Sequence, residues 1–247
     1  LQTSFFRQVL YKDPPFLLGE IWLGRPKRGN PHLEARMKAY QVRIELDQSS
    51  PLVWRKVILP EGATFARLHQ VIQNSLSFSD CHLYMFSLPG HQLRVTNDNQ
   101  AHQVYQEYRE NQEQIEQTLT ALGTSFARLQ LEQMRTVVRS PEQTAVDEYL
   151  LEEGLLHYVY DLRHRWEITV TLEQIVENYA LAYPTLLAGE EAAPHDSMRG
   201  LAGFREFLDA YRDPEHPDHA LACTWAKQQA FRYDHSEIQR RLRALAE

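Results

Sequence analysis

Six side chains in this sequence are of the types that hold metals or move protons: His69, His82, Asp161, His164, His195 and Asp196. Imidazole and carboxylate together bind divalent transition metals, and a bound metal brings the pKa of its water down to about 7, making a nucleophile at neutral pH. Four of them, His69, His82, Asp161 and Asp196, form the ligand set that a metal-dependent hydrolase would need. No two histidines sit at the i, i+4 spacing of a zinc-protease helix, so such ligands must converge from distant segments. Each also has a plain structural reading. His69 follows Leu68 beside an apolar helical face and suits a hydrogen-bonded, partly buried imidazole, while His82 precedes a strand and suits a backbone cap.

Other chemistry is weaker. Cys81 beside His82 offers a thiolate–imidazole pair, but neighbours on a strand point to opposite faces and would not meet. His216 and His219, separated by Pro217, read as a helix entrance. There is no Gly-x-Ser-x-Gly elbow, no phosphate-cradling glycine loop and no dinucleotide fingerprint, which excludes P-loop hydrolysis and hydride transfer. Trp54-Arg55 and Trp166, with Arg163 and Arg165, place aromatic and basic residues on neighbouring strands, where bases can stack. A further basic cluster is Arg25, Lys27 and Arg28. Against nucleic acid, Trp166 shares its face with Ile168, Val170 and Leu172, which marks a core. Trp54 is likewise expected inside, with Arg55 on the opposite face.

The elements that must position these groups follow from periodicity. Tyr40, Val42, Ile44 and Leu46 alternate with polar residues as a half-buried strand, and Val53 to Leu59 reads as its antiparallel partner. Thr64 suits an N-cap, and Phe65, Leu68, Ile72 and Leu76 share one helical face. A strand over Leu83 to Leu88 completes β-β-α-β before residue 90. Residues 98–135, rich in Gln and Glu, predict a helical hairpin broken at Gly123. Its stripe of Val104, Tyr108, Ile115, Leu119 and Leu122 is expected to pack on the parent domain. Strands resume near Thr136–Val138, at residues 155–161 and from Trp166 to Leu172, and residues 173–202 read as irregular. Three helices close the chain. The first carries Phe204, Phe207, Leu208 and Tyr211, the second covers roughly 217–229, and the last opens on an Asp234/Glu237 capping box.

The chain has 247 residues, enough apolar side chains for a core, and a net charge of −7. That charge is uneven: residues 1–60 carry +5 and the remainder −12. A whole-surface basic footprint for nucleic acid is therefore absent. No apolar run reaches the roughly 18 residues a membrane helix needs. The start lacks the charged-then-apolar pattern of a signal peptide. Two cysteines, Cys81 and Cys223, make no disulfide framework. A cytoplasmic location is expected, with no membrane contact.

Four segments together resemble the plasmid pRiA4b ORF-3-like family, which includes insertion-element passenger proteins. The first carries Pro51, Trp54, Arg55, Leu68, His69, Ile72, His82, Leu83 and Phe86 at the family's positions. The second carries Tyr158, Tyr160, Asp161 and Trp166, and the third Pro194, Asp196, Gly200 and Gly203. The fourth is the helix that runs into Asp213, Pro214 and His216. The resemblance spans about residues 40–245, leaving out much of the insertion. Where the family's pattern has a Gly, an Asp and a His after its Tyr-x-Tyr-Asp, this chain has Arg163, His164 and Ile168; His195 replaces a Glu.

The resemblance implies an α+β fold: a mixed, largely antiparallel sheet packed against helices, with the helical insertion at about 98–135 and a helical C-terminus. Residues 1–39 read as an N-terminal appendage to a domain over 40–247. With the family's polar loops eroded here, the expected function is a non-enzymatic interaction or accessory module. Its recognition surface would use Trp54, Arg55, His69, His82, Tyr160, Asp161, Arg163, His164, Trp166 and Asp196. A protein partner or self-association is expected first and nucleic acid second. No cofactor is expected in that reading; the divalent metal belongs to the hydrolase alternative.

Overall fold

The structure of the chain, a computed structural model, describes residues 37–246. The basic cluster at Arg25, Lys27 and Arg28, and nearly all of the expected appendage, lie outside the described residues.

Strand β1 (Met37–Leu46) pairs antiparallel with β2 (Trp54–Pro60), as its alternation predicts. Helix α1 (Phe65–Leu76) begins where the Thr64 hydroxyl accepts a hydrogen bond from the Arg67 amide. Its face of Phe65, Leu68, Ile72 and Leu76 is fully buried on the sheet, each residue contributing about 1.5–3 kcal/mol. Strand β3 (Tyr84–Leu88) follows, then β4 (Leu93–Thr96). After the insertion come β5 (Val137–Arg139), the short helix α5 (Asp147–Glu153), β6 (Leu155–Tyr160), β7 (Trp166–Tyr179) and β8 (Thr185–Glu190). The eight strands form one sheet in the order β5-β4-β3-β6-β7-β1-β2-β8, antiparallel throughout except between β4 and β5. Three helices close the chain: one over Gly200–Arg212, one over His219–Gln228 and one over His235–Ala244. The last is capped by Asp234, which accepts from the Glu237 amide at 3.0 Å. Its capping box stays half-formed, because the Glu237 carboxylate turns to Arg240 and Arg241 instead.

The α+β architecture is as expected, with three local differences. The stretch from 173 to 202 is not irregular: it holds the second half of β7 and all of β8, which few β-branched residues announce. Strand β4 was also unannounced, being only four residues long. The insertion has three helices, not two: α2 (Asn99–Glu110), α3 (Gln112–Leu122) and α4 (Ser125–Arg135), broken at Asn111 as well as at Gly123. In chain order the three closing helices are then α6, α7 and α8. Most of the insertion's stripe stays outside the core. Tyr108 is buried, but Val104 is exposed and Leu122 is 61% exposed, because the three short helices pack on each other and on the β4–β5 edge.

Strand β2 reverses the expected facing of Trp54 and Arg55. Val53, Val57 and Leu59 fix which parity faces the core, and Arg55 falls in that series. Arg55 is therefore only 1% exposed, while Trp54 shares the outer face with Lys56. The buried guanidinium meets no carboxylate. It donates to the carbonyls of Ser75 (3.0 Å), Trp54 (2.7 Å), Glu190 (2.6 Å) and Glu191 (2.9 Å), and lies over the Tyr233 ring. Ser75 belongs to the last turn of α1, whose carbonyls form the negative end of the helix dipole and offset the buried charge. Trp54, outside, is covered by Arg43 at 4.1 Å.

Candidate functional site

Three connections meet at one end of the sheet. The first leaves α1 at Ser77, in the left-handed conformation, and runs through Ser79–Leu83 into β3. The second is the turn after β6, where Asp161 is also left-handed (φ 54°) and its carboxylate accepts from the amides of Arg163 and His164. The third runs from Pro194 through a single tight turn at Asp196–Met198 into α6. The second and third are pressed together at Gly200: with φ +78°, a Cβ there would stand 2.3 Å from the His164 carbonyl oxygen. Five non-glycine residues in these connections, Ser77, Asp80, Asp161, Arg165 and Arg199, have positive φ, a cost that persists where surrounding structure over-determines it.

Asp196 is the hub. It is 5% exposed, and its Oδ2 accepts from the Ser79 amide (2.8 Å), the Ser79 hydroxyl (2.5 Å) and the Tyr160 hydroxyl (3.3 Å). Its Oδ1 faces His195 Nδ1 at 3.4 Å. Tyr160 in turn accepts from the Cys81 amide. Burial pushes the Asp196 carboxyl up, but the Ser79 bonds and His195 outweigh it and hold it below the usual carboxylate range. Asp161 behaves alike: burial raises it, and the hydrogen bonds from His164 and the turn amides bring it below normal. Its Oδ2 lies 2.7 Å from His164 Nδ1 and 4.0 Å from His82 Nε2. Burial raises the Tyr160 hydroxyl strongly, so at neutral pH it stays a donor.

Cys81 and His82 are both exposed and precede β3, so strand alternation does not separate them. One donor atom from each of Cys81, His82 and Asp196 lies within 4.8 Å of the others. The opposite-face expectation for Cys81 and His82 is corrected on this point.

His82, Tyr160, Asp161, His164 and Asp196 thus come together. His69 lies behind them in a circuit of its own. Its Nδ1 is 2.8 Å from the Tyr158 hydroxyl and its Nε2 2.6 Å from Asp80 Oδ1; Gln73 donates to Tyr158 and accepts from the Asp80 amide. The ring stacks on Tyr84 at 3.6 Å. Burial lowers its pKa despite Asp80. With both nitrogens engaged, His69 is not available to a metal in this arrangement. Trp166 is wholly buried beneath the site beside Phe78. Arg163 is exposed, and Trp54 and Arg55 belong to the β2–β8 side. Arg55 reaches the site's margin only through a cavity of ≈ 160 Å³ that it lines with Pro194 and His195. Sequence reasoning missed Ser79 as a partner of Asp196 and gave Cys81 no place in the ligand set. The signal was the polar run Ser79-Asp80-Cys81-His82 between helix and strand.

Comparison with known proteins agrees with this architecture. The family model described as plasmid pRiA4b ORF-3-like protein matches residues 38–241. The uncharacterized protein y4hQ of Sinorhizobium fredii (strain NBRC 101917 / NGR234) is 22% identical over 185 residues, 75% of this chain and 79% of that relative. A solved protein of unknown function, MM3350 from Methanosarcina mazei Go1, superposes with a TM-score of 0.61 at 22% identity, covering 81% of this chain and 97% of that one. That likeness shows the fold.

Proposed function

The chain belongs to the plasmid pRiA4b ORF-3-like family, and within it we propose that this member is a non-enzymatic accessory module that grips an acidic segment of a protein partner at this end of the sheet. One observation carries the reading. The two carboxylates of the cluster, Asp161 and Asp196, are sunk and already hydrogen-bonded, and the one exposed carboxylate of these connections, Asp80, is engaged by His69 at 2.6 Å, while the rest of the rim is cationic or neutral. Arg163 and Arg199 are exposed and make no ion pair among the described residues; His82, His164 and His195 complete the rim. A rim of that kind complements carboxylates, and its charges steer encounter more than they set affinity. The outer sheet face supports nucleic acid less well, because its cations are spoken for: Arg43 pairs with Glu45 at 2.7 Å and Lys56 with Glu173 at 2.8 Å. No described helix is long and apolar enough to cross a membrane.

Fluorescence anisotropy of a labelled glutamate-rich peptide tests the proposal at low and physiological salt. Binding should weaken as salt rises and fall at least about tenfold, roughly 1.4 kcal/mol, in the Arg163→Glu/Arg199→Glu double variant. Both positions are on the surface, so the variant should fold. Equal binding by the double variant, or none by the parent, would refute the reading.

A further inference from the structure

We propose that Cys81, His82 and Asp196 form a site for one divalent transition-metal ion of the zinc type. The inference stands on the donor set and does not depend on the acidic-partner reading.

Thiolate, imidazole and carboxylate together select zinc or cobalt over magnesium or calcium, which prefer oxygen alone. The three donor atoms already lie within 4.8 Å of one another. Around a tetrahedral zinc, with bonds of about 2.0–2.3 Å, ligand atoms stand about 3.5 Å apart, so closure needs a contraction of about 1 Å. Cys81 and His82 can supply it by side-chain rotation, since both are exposed and lie outside regular structure, although the Cys81 sulfur must loosen its 2.9 Å contact with the Ser79 hydroxyl to do so. Asp196 cannot move far and need not. Its Oδ2 is held by Ser79 and Tyr160, leaving Oδ1 as the less engaged oxygen.

The surroundings approach those a metal site requires. A ligating carboxylate is normally hydrogen-bonded from behind, and a ligating histidine turns its other nitrogen toward a carboxylate. Asp196 has the first arrangement. The second is approached but not made: His82 Nε2 stands 4.0 Å from Asp161 Oδ2, beyond hydrogen-bond length, and would close on it with Nδ1 on the metal, while Asp161 is itself held by His164 at 2.7 Å. The ring of His82 also stands edge-on to Tyr160 at 5.5 Å, which limits its swing. His195 Nδ1 is bonded to Ser197 at 2.8 Å. With three protein ligands, the fourth coordination position is open to water or to a carboxylate brought by another molecule. Three protein ligands with one open position distinguish such a centre from a closed structural zinc site.

The test uses the full chain, reduced and treated with chelator, then titrated with cobalt(II) and zinc(II). One equivalent of cobalt should produce a thiolate-to-metal charge-transfer band in the near ultraviolet, which zinc then abolishes. Zinc at about 100 times its dissociation constant should raise the thermal midpoint by about 5–10 °C, and magnesium or calcium should not. The band should be lost in Cys81→Ser, kept in Cys223→Ser, and need at least about tenfold more cobalt in His82→Gln, since one of three ligands is gone. Cys81→Ser and His82→Gln alter exposed side chains, so neither should unfold the protein. The proposal is overturned if the parent shows no band. It is equally overturned if the band follows Cys223, whose sulfur lies 3.5 Å from His219 Nε2, or if magnesium gives the same thermal shift.

Discussion

His69 makes the protein's stability depend on pH in a direction its environment dictates. The ring is 3% exposed and its hydrogen-bond circuit closes in one protonation state. Gln73 donates to the Tyr158 oxygen at 3.0 Å, Tyr158 donates to Nδ1, and Nε2–H donates to Asp80. The Asp80 amide returns to Gln73 Oε1 at 3.1 Å. A proton on Nδ1 would leave the buried Tyr158 hydroxyl without an acceptor, a loss of about 1–3 kcal/mol. The folded state thus holds the imidazole neutral, with its pKa depressed by burial, while the unfolded chain takes up a proton near pH 6.5. Stability from this group is fully present above about pH 6.5 and declines as pH falls below it. If the folded state takes up no proton, the loss between pH 7 and pH 5 is at most about 1.9 kcal/mol, or about 4–8 °C in midpoint. Urea unfolding at both pH values, on the parent and on His69→Gln, isolates the effect because every other titrating group is common to both. The variant should be less stable at pH 7 by about 1–3 kcal/mol, having left Tyr158 unpaired, yet lose up to about 1.9 kcal/mol less on going to pH 5. Equal losses in the two proteins would show that His69 takes up its proton as readily in the folded state as in the unfolded chain, and that the circuit runs otherwise.

Three further outcomes follow from the packing. Gly200→Ala should cost about 2–4 kcal/mol, combining a left-handed backbone with overpacking against the His164 carbonyl; chemical denaturation matching the parent would contradict the tight seam between the two loops. Arg55→Met should cost about 3–5 kcal/mol by stripping donors from four inward-facing carbonyls, and a loss below about 1 kcal/mol in urea would mean that those carbonyls find water. Leu122→Ser and Phe126→Ser should each stay within about 0.5 kcal/mol of the parent, since the two side chains are 61% and 68% exposed; a large drop in thermal midpoint would place the insertion's stripe in the core.

Much of the fold could be read from local pattern. The alternation of Tyr40 to Leu46, the Thr64 cap and the 3.6-residue spacing of Phe65 to Leu76 each depend on neighbours a few residues away, and each appears where expected. The same holds for Trp166 with Ile168 and Val170 in the core. Strand β8 was not legible because its sequence, Thr185 to Glu190, has neither clean alternation nor many β-branched residues; pairing with β2 makes it a strand. The third helix of the insertion was hidden because Asn111, unlike Gly123, carries no unambiguous break signal.

The candidate site divides in the same way. Residue types alone singled out His82, Asp161, His164, His195 and Asp196, because imidazoles and carboxylates near turns are recognisable wherever they end up. Which of them meet, and which are spent on structure, depends on contacts between positions as much as 117 residues apart, as for Ser79 and Asp196. His69 is consumed by a circuit running through Tyr158, 89 residues away, and Cys81 gains its role only because the chain there is not a strand. Arg55 shows the rule most simply. Its charge argues for the surface, but its parity with Val53, Val57 and Leu59 places it inside. A sheet register, shared by many residues at once, outweighs the preference of any one side chain when carbonyls stand ready to receive it.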